Sequence, residues 1–158
     1  MCIRDSASVV EIDKYGLSYA NSIAMKRSIF SLTHQLKKHL QIYRNKDFCI
    51  YVDGKFKPDF KNLDNFLQRN KLHLVKYSIK ALVKGDSLCK TIALASIISK
   101  ETRDTIMRQW SKKHPVYLFD SNFGYGTKNH INAILKNGVL DLHRKSFKPI
   151  ATTYGKIN

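Results

Sequence analysis

Two short runs of strand-forming residues, each closing on an aspartate turn and set among segments of helical periodicity, predict an α/β fold. The first run is Phe48-Cys49-Ile50-Tyr51-Val52, ending at Asp53-Gly54. The second lies within Leu72 to Val83, has an irregular start, and ends at Lys84-Gly85-Asp86. The polar, basic stretch from Lys55 to Asn70 is long enough for a crossover, so the strands can run parallel with both C-terminal ends on one sheet edge. A chain of 158 residues, 43% hydrophobic with eight Tyr and eight Phe, is one domain's worth and has the material for a core.

Residues 1–6, MCIRDS, show no periodicity and read as a junction foreign to a domain placed at residues 7–158. Ser8 and Glu11 have capping-box spacing, which predicts a short helix stopping before Gly16. Leu17 to roughly His39 reads as a longer helix, with Ala20, Ile23, Ala24, Ile29 and Leu32 as its apolar stripe. A further short helix is expected around Leu63 to Leu67.

The segment Ala81 to Met107 organises the chain: a basic turn carrying Asp86 runs directly into a long helix. From Ile92 to Ile98 almost every residue is apolar or small, so that half is expected to be buried all round. From Lys100 onward the pattern is amphipathic, with Ile106, Met107 and Trp110 at helical spacing. Pro115 ends the helix after Lys112-Lys113-His114. Gly124-Tyr125-Gly126-Thr127 predicts a tight turn feeding a helix from about Lys128 to Lys136, with Thr127 as its cap and Gly138 beyond its end.

The 28 Lys and Arg against 12 Asp and Glu give a net charge of +16, spread over the whole length. Such a field favours polyanions, nucleic acid before anionic membrane. No apolar run approaches the ~20 residues needed to span a bilayer, and no secretory leader is recognisable, so a cytoplasmic location without a membrane partner is expected. Cys2, Cys49 and Cys89 share no metal-type spacing, and Cys49 is expected to be a small buried thiol.

Asp53 and Asp86 stand 33 positions apart, each after a strand. On one sheet edge they would converge, and converging carboxylates in a basic protein suggest Mg²⁺ or Mn²⁺ set against phosphate. The plainer reading makes Asp53 a turn residue and Asp86 a helix-start anion. Tyr125, between two glycines, is either a stacking surface for a sugar or base or a loop aromatic folded back on the core. His143-Arg144-Lys145-Ser146-Phe147 is either a phosphate-contacting cluster anchored by Phe147 or a solvated charge run.

Four segments together resemble ribonuclease HII: EIDKYGLSYANSIAMKRSI, the VDG ending the first strand, KGDSLCKTIALASIISKETRD, and GYGTKNH followed by HRKSF. The resemblance covers about Ala7 to Pro149, with order and spacing in agreement. It implies a ribonuclease H-like mixed sheet flanked by helices, here lacking the first strands. It implies an endonuclease that cuts the RNA strand of RNA/DNA hybrids and ribonucleotides embedded in duplex DNA by two-metal catalysis, leaving 5′-phosphate and 3′-hydroxyl ends. Mg²⁺ or Mn²⁺ would be the cofactor, and the intact protein a monomer. Asp53 and Asp86 match two of the family's four metal-holding carboxylates. Lys84, Ser87, Tyr125, His143 and Arg144 match its substrate-contacting motifs, with Tyr125 reading the ribonucleotide 2′-hydroxyl.

The family's adjacent Asp-Glu pair, inside a DEAGRG segment, has no counterpart: the two glutamates are Glu11 and Glu101, and no two acidic residues adjoin. Phe123 also stands where the family usually has lysine. An N-terminal portion is therefore expected to be missing and the chain as given to be inactive or nearly so, with an unpaired strand edge and an uncovered apolar face. Asp104 is read as structural. A non-catalytic basic nucleic-acid-binding module and a degenerate family member remain as rival readings.

Overall fold

The computed structural model describes residues 5–36, 48–55, 65 and 77–154. Contacts divide the chain into two compact units, one of residues 1–7 and 18–98, the other of 8–17 and 99–158.

In the first unit, helix α2 (Leu17–Leu36) buries Ala20 completely. Its expected continuation to His39 lies outside the described residues, as does the helix expected at Leu63 to Leu67 apart from Asn65. Strand β1 (Phe48–Asp53) pairs in parallel with β2 (Tyr77–Leu82), Phe48 opposite Tyr77 and Asp53 opposite Leu82. The irregular start expected for the second strand, Leu72 to Lys76, also falls outside the described residues. One further bond, Gly54 N–H to the Leu82 carbonyl at 2.8 Å, carries the pairing past the strand end.

Two expectations for this unit are corrected. Cys49 is exposed and not a buried thiol, because β1 alternates: Cys49 and Tyr51 face outward while Val52, on the opposite face, is buried. The apolar helical segment is likewise covered on one side only. Ile92 is 6% exposed, but Leu94 and Ile97 are 61% and 59% exposed. Two positions round a helix is a turn of about 200°, so Leu94 points away from the side on which Ile92 packs.

The helix itself is interrupted. A one-turn helix, α3 (Gly85–Leu88), comes first; Cys89 then adopts extended angles (φ −132°, ψ 114°), and the long helix α4 (Lys90–Lys113) starts after it. Asp86 therefore sits inside its own helical turn and not at the head of the long helix.

The second unit opens with α1 (Val9–Tyr15), closed by the expected capping box: Ser8 Oγ accepts from Glu11 N–H at 3.2 Å, and Glu11 Oε2 accepts from Ser8 N–H at 2.8 Å. Gly16 ends it at φ 80°. The second half of α4 stops before Pro115, as expected, and a 3-10 turn (Pro115–Tyr117) and a short helix α5 (Phe119–Asn122) follow. Helix α6 (Lys128–Asn137) is capped by Thr127 Oγ1, which accepts from His130 N–H at 3.3 Å, and closes at Gly138; α7 (Ile150–Tyr154) comes last. Tyr117, Phe119, Ile134 and Ile150 form the core, with Met107, Trp110 and Leu142 packed against it. The Tyr117 and Phe119 rings stack at 5.7 Å, and the Tyr117 hydroxyl donates to the Gly138 carbonyl at 3.0 Å. Among the described residues no helix is long and apolar enough to cross a membrane.

Candidate active site

Asp53 is the last residue of β1, and its Oδ1 accepts the Gly85 N–H at 2.8 Å. The carboxylate at one strand end is thereby tied to the first residue of the turn that carries Asp86. Gly85 leaves little room for a side chain. A β-carbon there would lie 2.5 Å from Ile92 Cδ1 and 3.2 Å from Asp53 Oδ1, so the Ile92 side chain and the carboxylate would both have to shift. Lys84 enters the turn in the left-handed conformation (φ 55°), which costs a residue with a β-carbon about 1–2 kcal/mol. Such strain gathers where a sharp change of direction is needed at a functional edge. Asp86 Oδ1 accepts the Ser87 N–H at 2.9 Å, and Lys84, Asp86 and Ser87 are all exposed.

Asp53 and Asp86 thus each commit one oxygen to a backbone amide on the same sheet edge. Two aspartates are the hard oxygen donors that divalent cations take. They do not furnish a two-ion centre: among the described residues no group of three or more His, Cys, Asp or Glu is placed to hold a metal.

The other sequence-derived residues belong to the second unit. Tyr125 is 65% exposed, so it is turned out to solvent and not folded back on the core. Its N–H donates to the Asn122 carbonyl at 2.8 Å, and its own carbonyl accepts from Thr127 N–H at 2.8 Å. Buried Asn122 anchors the turn from below, donating to the Tyr117 carbonyl at 2.7 Å and accepting from Gly124 N–H at 2.8 Å.

His143 is corrected. It is buried among the Tyr117, Phe119 and His130 rings, with His130 at 5.2 Å, so it is a core residue and not a surface phosphate contact. Its Nδ1 accepts the Leu140 N–H at 2.9 Å, which places the ring proton on Nε2. Burial first, and the neighbouring His130 and His114 second, lower its pKa from 6.5 to about 4. Arg144 does stay near the surface, its guanidinium 4.1 Å from the centre of the Phe147 ring.

Asp13 was missed as a partner of this cluster, although it lies in the EID motif. Its carboxylate accepts from Lys145 N–H (2.9 Å), Ser146 N–H (3.0 Å) and Ser146 Oγ (2.5 Å). Slight burial works against the charged form, but the Ser146 hydroxyl, the two amides and the Lys145 charge outweigh it and lower the Asp13 pKa. Asp104 is structural as expected, buried and paired with Lys100 Nζ at 2.7 Å.

Parallel strands that deliver aspartates to one edge, with helices beside them, define the class: a ribonuclease H-like α/β protein. The ribonuclease HII family model matches residues 2–150, and this chain belongs to that family. Ribonuclease HII of Wolbachia pipientis wMel is 38% identical over 145 residues, covering 92% of this chain and 60% of the relative. Its counterpart in Natranaerobius thermophilus is 37% identical over 145 residues, with the same shares. That of Pelagibacter ubique is 35% identical over 145 residues, or 92% of this chain and 64% of the relative. The chain thus spans about 60% of the length of the curated relatives it matches.

Proposed function

We propose that this chain carries part of the active site of an endonuclease that hydrolyses the RNA strand of RNA/DNA hybrids and cuts at ribonucleotides embedded in duplex DNA, leaving 5′-phosphate and 3′-hydroxyl ends. The observation that carries the reading is the Asp53 to Gly85 hydrogen bond, which ties one strand-end carboxylate to the turn bearing the other. Asp53 and Asp86 would hold the divalent ion, Mg²⁺ or Mn²⁺, each kept in place by the amide it already accepts. The chemistry such an ion supplies is Lewis-acid activation of phosphate and water. The net charge of +16 draws the duplex in, Lys84 and Ser87 lie beside Asp86 in sequence, and exposed Tyr125 stacks on the ribonucleotide sugar while Arg144 contacts phosphate. The protein acts in the cytoplasm.

Two carboxylates are half of what a two-ion reaction needs, so the 158-residue chain alone is expected to bind the duplex and to cut it little or not at all. The same observation favours the second reading, a binding module without chemistry. Cleavage of a duplex with one embedded ribonucleotide separates them. A chimaera adding the Asp-Glu strand of a full-length relative ahead of this chain should cut with Mg²⁺ or Mn²⁺, and Asp53→Asn in it should slow cutting by about 100-fold or more. A chimaera that binds but never cuts would favour the module. Cutting by the unextended chain, lost in Asp53→Asn, would show that other groups complete the site.

A further inference from the structure

Residues 123–125 turn sharply before α6, and one side chain of α4 reaches all three. Arg103 donates through Nη2 to the Phe123 carbonyl at 3.0 Å. Its guanidinium carbon lies 5.5 Å from the centre of the Tyr125 ring. Between them, Gly124 leaves the space the guanidinium occupies: a β-carbon there would stand 3.3 Å from Arg103 Nη2 and 3.0 Å from Met107 Cε. The turn needs this support, because Phe123 (φ 48°) and Gly124 (φ 77°) are both left-handed, and the former carries a β-carbon.

We propose that Arg103 is a positioning residue that fixes the turn and presents the Tyr125 ring to a ribonucleotide. This rests on the ribonucleotide-reading role proposed for Tyr125. A guanidinium donates in its plane and stacks through its face at the same time, so one group sets both the backbone and the ring. An ammonium at the same place offers a point charge and cannot do both. With Arg103 against the ring and Tyr125 still 65% exposed, most of the aromatic surface stays free for a sugar or base. Arg103 adds a cation beside that surface, but its assigned work is on the tyrosine.

The test compares affinity of the 158-residue chain for a DNA duplex carrying one ribonucleotide with that for the same all-DNA duplex, together with hydrogen exchange at the Tyr125 and Thr127 amides. Arg103→Gln should reduce the preference for the ribonucleotide by about two- to fivefold and speed exchange at both amides, with the interior amides of α6 unchanged. Arg103→Lys should not restore the preference. Combined with Tyr125→Ala, Arg103→Gln should remove no more preference than Tyr125→Ala alone. Equal weakening of both duplexes by Arg103→Gln, adding fully to Tyr125→Ala, would make Arg103 a plain phosphate contact and overturn the inference. Unchanged preference in Arg103→Gln beside a loss in Tyr125→Ala would overturn it while leaving the reading of Tyr125 intact. No preference in the unaltered chain, or none lost in Tyr125→Ala, would remove that reading and the inference with it.

Discussion

The two units solve the same problem differently. The second wraps rings around one another: Tyr117 and Phe119 are 4% and 2% exposed, and even its polar interior residues, Asn122 and His130, bond to the Tyr117 carbonyl. In the first, Leu88, Leu94 and Ile97 are 73%, 61% and 59% exposed, and the described sheet has two strands. The carboxylate edge of that unit is nevertheless well defined. It is set by backbone: a parallel pairing, a left-handed Lys84 and a glycine that leaves room for Asp53. A site made from backbone bonds at a strand end needs little side-chain core around it, whereas an exposed tyrosine needs a rigid foundation beneath its turn.

The contrast predicts where substitutions hurt. Phe119→Ala should cost the second unit about 3–5 kcal/mol, read as an earlier urea midpoint in the fluorescence of Trp110, the single tryptophan. A loss below about 1 kcal/mol would mean that this core is not what holds the unit. Acid comes next. His143 has a folded pKa of about 4 against 6.5, so the unfolded chain takes up the extra proton between those values. The second unit should be at full stability above pH 6.5 and lose about 2–3 kcal/mol as the pH falls towards 4. Urea melts at pH 7 and 4.5 measure this, and a His143→Gln protein that keeps the same acid slope would contradict the assignment.

Removing the Asp13 carboxylate is a smaller change. Its bonds to the 145–146 amides are exposed, so Asp13→Ala should cost about 1 kcal/mol, with faster amide exchange at Lys145 and Ser146 as the local signature. Because the Asp13 pKa is lowered, that contribution is present above its ordinary value of 3.8 and is lost as the pH falls through the still lower folded value, below the His143 window. Smallest of all, Ile97→Lys should change stability by no more than about 0.5 kcal/mol, since the side chain is already largely in water. A loss above 2 kcal/mol in a thermal melt would show that this face is covered after all and would dissolve the contrast between the units.

Much of this was written locally in the sequence. The Ser8 and Glu11 box, the stop before Pro115, the Thr127 cap and the Gly138 end all depend on residues within one or two turns of each other, and each was found where spacing placed it. The crossover length allowed a parallel pairing of the two strands, and the strands ending at Asp53 and Leu82 do pair that way. Burial was less legible. Periodicity ranks the faces of a helix or strand, but how many faces are covered depends on what packs there, so Leu94, Ile97 and Cys49 are exposed despite apolar surroundings in sequence.

Sequence by itself determined the strand-end carboxylates, the tight turn carrying Tyr125 and the positive field, because residue type and short-range spacing are enough to set those; that the Tyr125 ring is exposed came from the structure. Only the tertiary structure decided that His143 leaves the basic cluster for the core, that Asp13 reaches Lys145 and Ser146 across 132 positions of chain, and that Arg103 bonds to the Phe123 carbonyl beside the Tyr125 ring. Those are contacts between residues distant in the chain. Their energy comes from packing and from amides left free by a turn, and neither is visible until the turn has been placed.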